Sequence, residues 1–343
     1  MIDSVVLKRA VARGVITEEQ SLALVRLGAE GHGAPRPDAV HDDEQLRFIT
    51  GFADIFVTIG LFLFLGTIAY FGGIGSVGSG IVVAVLAWAL AEFFTRRRRM
   101  ALPSIVLLAI FAASGFAATA VAFGATTLDP SERPLPLAAA SLATVLLTAL
   151  HYWRFAVPIT IAAGTAASIG ACLALGFSAA PEAVGANRDA LLFLAGLATF
   201  ALAMRFDLAD PMRLTRRTDI AFWLHLLAAP LIVHPVLAGL AIGSGSVSLA
   251  AAGLVLAVVL VLALIAVMID RRAILVSGLV YAGVAFGALV REVGLTKVAL
   301  PLSLLALGSF ILLLSAGWHP LRGAILRALP PRFAARLPHP IGA

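Results

Sequence analysis

Residues 219–237 read DIAFWLHLLAAPLIVHPVL. Apart from Asp219 at the start and two histidines, the run carries no ionisable side chain. An apolar segment of about 18 or more residues is long enough to cross the hydrocarbon layer of a bilayer. The stretch therefore reads as one membrane-spanning helix, and the rest of the chain repeats the pattern. Of 343 residues, 61% are hydrophobic and 13% charged, against roughly a quarter charged in ordinary soluble domains. Ten spans are expected, at about 48–71, 74–95, 101–124, 135–150, 156–177, 189–206, 219–240, 247–268, 273–292 and 298–317, the fourth being the shortest. The alternating apolar and polar strands of a β-barrel are absent from the pattern. The fold class is an all-α polytopic membrane protein.

Charge distribution orients the spans. Of the 25 Lys and Arg residues, 21 fall in the two termini and every second loop, and four in the alternate loops. Cytoplasmic loops carry the basic excess, so both termini are expected on the cytoplasmic side of the membrane. The net charge of +6 then marks orientation and gives no reason to expect nucleic acid. The single cysteine, Cys172, excludes an internal disulfide and a cysteine-built metal site, and its apolar setting reads as an inert buried thiol.

Residues 1–29 form a polar helical hairpin ahead of the membrane. Ser4 caps its first helix and Gly14 stops it. Thr17 and Gln20 have the spacing of a capping box opening the second. The string LKRAVARGVITEEQSLALVRLGA (7–29), followed by a linker (30–47) and many apolar helices, resembles a family of uncharacterised bacterial multi-pass proteins. Its turn is similar to the short SHOCT-type helical motif associated with oligomerisation. The resemblance covers about the first 30 residues and implies a bacterial inner-membrane setting. The hairpin is too small to own a core, so it docks on the membrane domain or on another copy, making a homo-oligomer. At the other end, residues 318–343 form a basic amphipathic tail. There Trp318 is the interface anchor, Leu321, Ile325, Leu326 and Leu329 share a face, and Arg322 and Arg327 flank it, offered to anionic lipid.

Ionisable groups inside spans are costly and are the first functional candidates. Asp54 and His225 each stand about six residues into their spans, roughly 9 Å deep at about 1.5 Å per residue. Thr50, Asp54 and Thr58 make one polar stripe at i, i+4 spacing. Asp54 and His225 are expected either to form a proton-responsive pair lining a cytoplasm-facing cavity or to make a fixed interhelical hydrogen bond. His234, nine residues beyond His225, falls about 900° further round and so on the opposite face. The two histidines therefore do not share a metal. Pro230 and Pro235 each remove a helical hydrogen bond and imply a kink. Glu92 pairs with Arg96 at i, i+4. GGIGSVGSG (72–80) lacks the Lys-Ser/Thr ending of a phosphate loop and reads as a hairpin turn. Gly283 with Gly287, and Gly239 with Gly243, are small-xxx-small pairs for close helix packing.

No catalytic residue set, metal-ligand spacing or cofactor motif is recognisable, and the membrane lipid is the one certain partner. The leading reading is a transporter or permease-like protein for a small solute or lipid, proton-linked through Asp54 and His225. The alternative is a non-catalytic membrane scaffold or sensor that self-associates or recruits partners through its hairpin. The third is an intramembrane lipid-modifying enzyme.

Overall fold

The computed structural model describes residues 11, 13–15, 17–21, 52–210, 215–238 and 249–330. Thr50, Gly239, Gly243 and the tail beyond Pro330 lie outside them. The chain divides into two units, Met1–Gln45 and Leu46–Ala343. In the first, the Thr17 N–H donates to Gln20 Oε1 at 2.9 Å and the Gln20 N–H to Thr17 Oγ1 at 3.2 Å, the reciprocal bonds of a capping box. Gly14 has φ +68°, the left-handed conformation that ends a helical turn cheaply only at glycine.

The second unit is helical throughout its described residues. In chain order the helices are α1 (Phe52–Phe71), α2 (Val77–Ala91), α3 (Ala101–Ala122), α4 (Pro134–Phe155), α5 (Ile159–Ala179), the short α6 (Pro181–Ala186) and α7 (Arg188–Leu208). They continue with α8 (Arg216–Ala238), α9 (Leu249–Ile269), α10 (Ala273–Glu292), α11 (Ala299–Ala316) and α12 (Trp318–Ala328). A helix occupies each of the ten segments expected to span. Among the described residues nine are long and apolar enough to cross a membrane, and α10 adds a further helix of 20 residues. The chain is an all-α, multi-pass membrane protein. α4 outruns its expected end at 150, continuing until Ala156 at φ +52° turns the chain. The added turn and a half carries His151 and Arg154 into the bundle.

Side-chain placement is that of a protein solvated by lipid. Large apolar side chains face outward, such as Phe56 (68% exposed) and Leu312 (72%). Small ones fill the helix seams, among them Ala87, Ala140, Ala203, Ala221, Ala252 and Ala285. Lipid tails are as apolar as leucine, so association rests on close backbone approach. Gly80 of α2 meets Ala118 of α3 where an added Cβ would lie 2.8 Å from the alanine methyl, and Gly196 of α7 meets Ile232 of α8 at the same distance. Gly283 and Gly287 face Leu307 and Ser303 of α11, as expected of their spacing. Gly164 and Gly170, six residues apart, both face α4, at Thr148 and Ser141. Cys172, expected to be buried, is exposed, because α5 turns its neighbours Ala171 and Ala174 inward instead.

The helix order builds antiparallel neighbours: α2 with α3, α4 with α5, α7 with α8, and α9 with α10. α8, the helix of the opening stretch, packs on α5, α7 and α10, and it is the most enclosed of the nine apolar helices. It runs unbroken through Pro230 and Pro235. α1 packs on α2 and α3. The GGIGSVGSG stretch is a tight turn: Gly73 and Gly75 take φ of +80° and +84°, and Ser76 caps α2 by accepting from the Ser79 N–H at 3.1 Å.

The amphipathic C-terminal helix corrects an expectation. The inward face of α12 is Trp318, Arg322 and Leu326, all buried, whereas Leu321 is exposed. The Trp318 indole N–H donates to Asp270 Oδ1 at 2.6 Å, and the Arg272 guanidinium sits 5.0 Å from the Trp318 ring centroid. Arg322, proposed for lipid, is 6% exposed. A turn with its own polar groups, Asp270 to Arg272, holds Trp318 toward the protein. Arg327 stays exposed, and its Nε–H donates to the Gly323 carbonyl.

Candidate functional site

Two polar constellations lie in the second unit. The first is built on His225, but with a different carboxylate from the one expected. Asp207, one residue from the end of α7, accepts a hydrogen bond from His225 Nε2–H at 2.9 Å. The same carboxylate is gripped by Arg271 from the α9–α10 turn, through Nε at 3.1 Å and through Nη2. Arg271 Nη2 also reaches the Thr218 carbonyl at 3.5 Å. All three side chains are enclosed, His225 at 0%, Arg271 at 1% and Asp207 at 2% exposure, and Phe200 lies edge-on to the imidazole. A charge at this depth is tolerable only when paired and hydrogen-bonded. Here both carboxylate oxygens are engaged, so the arrangement clamps α7, α8 and the α9–α10 turn together.

The carboxylate that the structure shows bonded to His225 is Asp207. Asp54 is buried at 2% on α1, whose neighbours are α2 and α3. Thr58 donates to the Asp54 backbone carbonyl at 2.8 Å, which settles its own hydroxyl and leaves the carboxylate to other contacts. His234 does face away from His225. It is exposed and its Nδ1 meets the Tyr281 hydroxyl of α10. Glu92 keeps its expected partner Arg96, at 3.5 Å, but its stronger contact is bidentate. Arg154, 62 residues on, donates to it from Nε at 2.7 Å and from Nη2 at 2.8 Å. Asp210 Oδ2 accepts from the Thr215 N–H, the Thr215 hydroxyl and the Thr218 hydroxyl at 2.8, 2.7 and 3.1 Å, staking down the start of α8.

The second constellation was not foreseen as a site. Where α2 and α4 end and α3, α5 and α8 begin, a cavity of about 510 Å³ is lined by Arg96, Arg99, Arg154 and Arg216, with Asp219 the single lining carboxylate among the described residues. Ile105, Val157, Ile159 and Trp223 supply an apolar wall. A second basin, lined by Glu92, Phe93, Arg96, Arg97 and Arg154, lies on the other side of the Arg96–Arg154 pair.

Local backbone shapes the cavity. The last turn of the second span, Glu92–Arg97, is wound as a π-helix, a form that recurs at functional sites. Of the three non-glycine residues with left-handed φ in the described chain, two line the cavity, Arg99 at +54° and Ala156 at +52°. Non-glycine residues rarely adopt this region. The first turns of α3 and α5 line the cavity too, and their N-cap residues, Met100 and Pro158, provide no side-chain cap. The Thr160 and Ile161 N–H groups already donate to the Val157 and Pro158 carbonyls, and the positive ends of the two helix dipoles favour an anion. Thr95 Oγ1, also on the lining, is buried with no hydrogen-bond partner.

Beside this cavity, His151 is buried at 1% in a cage of Trp88, Phe111 and Phe155. Its Nδ1 lies 3.4 Å from the Thr160 hydroxyl, and its Nε2 has no hydrogen-bond partner. In the sequence, Asp207 and Arg271 sit in loop-flanking positions that read as topology signals, and Arg154 and His151 fall past the expected end of the fourth span. The one available hint was that Arg96–Arg99, Arg154 and Arg216 occupy loops of the same side.

No group of three or more metal-ligating side chains occurs among the described residues. No protein-family model matches the chain, and neither curated proteins nor solved structures gave a match.

Proposed function

We propose that this chain is a ten-span inner-membrane protein, both termini cytoplasmic, that receives a small anionic solute or lipid headgroup in the arginine-lined cavity, as a transporter or permease-like protein does. The observation that carries the reading is the convergence of four guanidinium groups and two uncapped helix starts on one cavity of about 510 Å³. Such a constellation is unfavourable without an anion, because like charges repel. The charge bias of the loops puts that cavity on the cytoplasmic side. The N-terminal hairpin, with its resemblance to SHOCT-type motifs, is the element we assign to self-association.

The proton-linked part of the expectation moves. Asp54 and His225 are 2% and 0% exposed, and neither lines the arginine cavity. That enclosure favours the second reading, a membrane scaffold or sensor, in which the cavity binds a lipid without moving it. Both readings require the arginines to bind an anion.

The test is a thermal-shift screen of the purified full chain against inorganic and organic anions. Wild type should be stabilised by at least one class, and Arg99→Ala with Arg216→Ala should lose the response. A response identical in both proteins refutes the site. Orientation is read on a Cys172→Ala background carrying Ala156→Cys or Leu128→Cys. A membrane-impermeant thiol reagent applied from outside should reach only the second.

A further inference from the structure

The geometry points to a phosphate monoester dianion as the group bound in the arginine-lined cavity, carried on a molecule with an apolar portion. The inference rests on the anion-binding reading above and sharpens it to one headgroup chemistry.

Charge matching carries the first part. Among the described residues four arginines line the cavity against one lining carboxylate, Asp219, and Glu92 stands behind Arg154. Two positive charges are left for a ligand to match. Arg99 and Arg216 in particular make no ion pair among the described residues. A carboxylate or a phosphodiester brings one negative charge, whereas a phosphomonoester brings about 1.5 to 2 at pH 7 and three acceptor oxygens. The donors suit those oxygens. Guanidinium forks bind phosphate bidentately, and Arg154 has its orientation set in advance because Glu92 holds Nε and one Nη2 hydrogen. The starts of α3 and α5 add the positive ends of their helix dipoles, and the Thr95 hydroxyl, buried with no partner among the described residues, adds a donor at the π-wound wall.

The apolar wall carries the second part. Ile105, Ile159 and Trp223 share the cavity with the arginines, so the ligand presents hydrocarbon or a ring beside its phosphate. A lipid with a monoester headgroup and a soluble organic phosphate both satisfy this.

The experiment uses the full chain in nanodiscs, with native mass spectrometry and equilibrium binding as readouts. The probes are phosphatidic acid (a monoester lipid), phosphatidylglycerol (a diester lipid), oleate (a carboxylate) and glycerol 3-phosphate (a soluble monoester). At pH 7.5 the monoesters should bind at least about tenfold tighter than the diester and the carboxylate. Arg99→Gln and Arg216→Gln should each weaken them by about tenfold, the loss expected of one charged hydrogen-bonding contact. Lowering the pH to 5, below the second phosphate pKa of about 6, should weaken monoester binding and leave the diester unchanged. Tighter phosphatidic acid identifies a lipid source, and glycerol 3-phosphate binding as tightly identifies a soluble one; either supports the assignment. Equal binding of monoester, diester and carboxylate, all sensitive to the arginine variants, overturns the dianion and leaves the anion site standing. Binding unaffected by both variants overturns the dianion and the anion site together. Both arginines are exposed, and Arg188→Gln, at the opposite end of α7, controls for loss of surface charge alone.

Discussion

Remove the charge of Asp207 and the enclosed clamp of α7, α8 and the α9–α10 turn should fail in a way only a double mutant can diagnose. Asp207→Asn leaves the Arg271 guanidinium, 1% exposed, without its counter-charge, holding one amide oxygen and the Thr218 carbonyl at 3.5 Å within the clamp. Arg271→Met leaves the Asp207 carboxylate with His225 alone from that clamp. Stripping one partner from a buried ion pair typically costs about 3–5 kcal/mol, while replacing both charges is often close to neutral. Each single variant should therefore lose about 3 kcal/mol or more. The double variant should lose far less than the sum, with a coupling of about 2–3 kcal/mol, the upper range for residues in direct contact. The measurement is reversible unfolding of the purified protein in mixed micelles, with Arg188→Met as an exposed control expected within about 0.5 kcal/mol of wild type. Single-variant losses under about 1 kcal/mol, or strictly additive losses in the double variant, would refute the clamp.

Three further outcomes follow from other contacts. Trp318→Phe keeps the packing of α12 but removes the indole N–H from Asp270 Oδ1; a loss of about 1–3 kcal/mol is expected, read as faster hydrogen exchange over Trp318–Ala328. Gly196→Ala places a Cβ about 2.8 Å from Ile232 Cγ1 and 2.9 Å from the Leu231 carbonyl carbon, so α7 and α8 must separate, at a cost of about 1–3 kcal/mol in the same unfolding assay. Asp129, in the α3–α4 loop, accepts from the Ser131 N–H and hydroxyl at 2.9 and 2.7 Å. Those bonds hold its carboxyl below the ordinary 3.8. A carboxyl whose folded pKa is depressed contributes order above its unfolded pKa and loses it as pH falls through the folded value. The Ser131 amide should thus lose exchange protection only below about pH 4, and Asp129→Asn should remove that pH dependence.

What sequence reading captured and what it missed divide along a physical line. The helices sit where the apolar runs sit, because crossing a membrane is a property of a contiguous segment: its length, its transfer free energy and its lack of charge. The Thr17–Gln20 capping box and the Gly73–Gly75 turn were legible for the same reason, since each is closed by residues within a few positions of one another. Glu92 shows where this stops. Arg96, four residues away, was the visible partner, but the bidentate one is Arg154 on another helix.

His225 shows the same limit more sharply. Its depth in the span matched that of Asp54, and depth was all the chain alone could offer. Which carboxylate met it depended on lateral packing, and α8 lies against α7 and α10 while α1 lies against α2 and α3. The ten apolar segments, and the sorting of basic residues to alternate loops, are determined by the sequence itself, because lipid and water act on each segment separately. The Asp207–His225–Arg271 clamp and the arginine-lined cavity are decisions of tertiary structure. Their members lie on different helices and turns, and an apolar helix presents lipid with nearly the same surface all round, so its hydrophobicity carries no record of which face meets which neighbour.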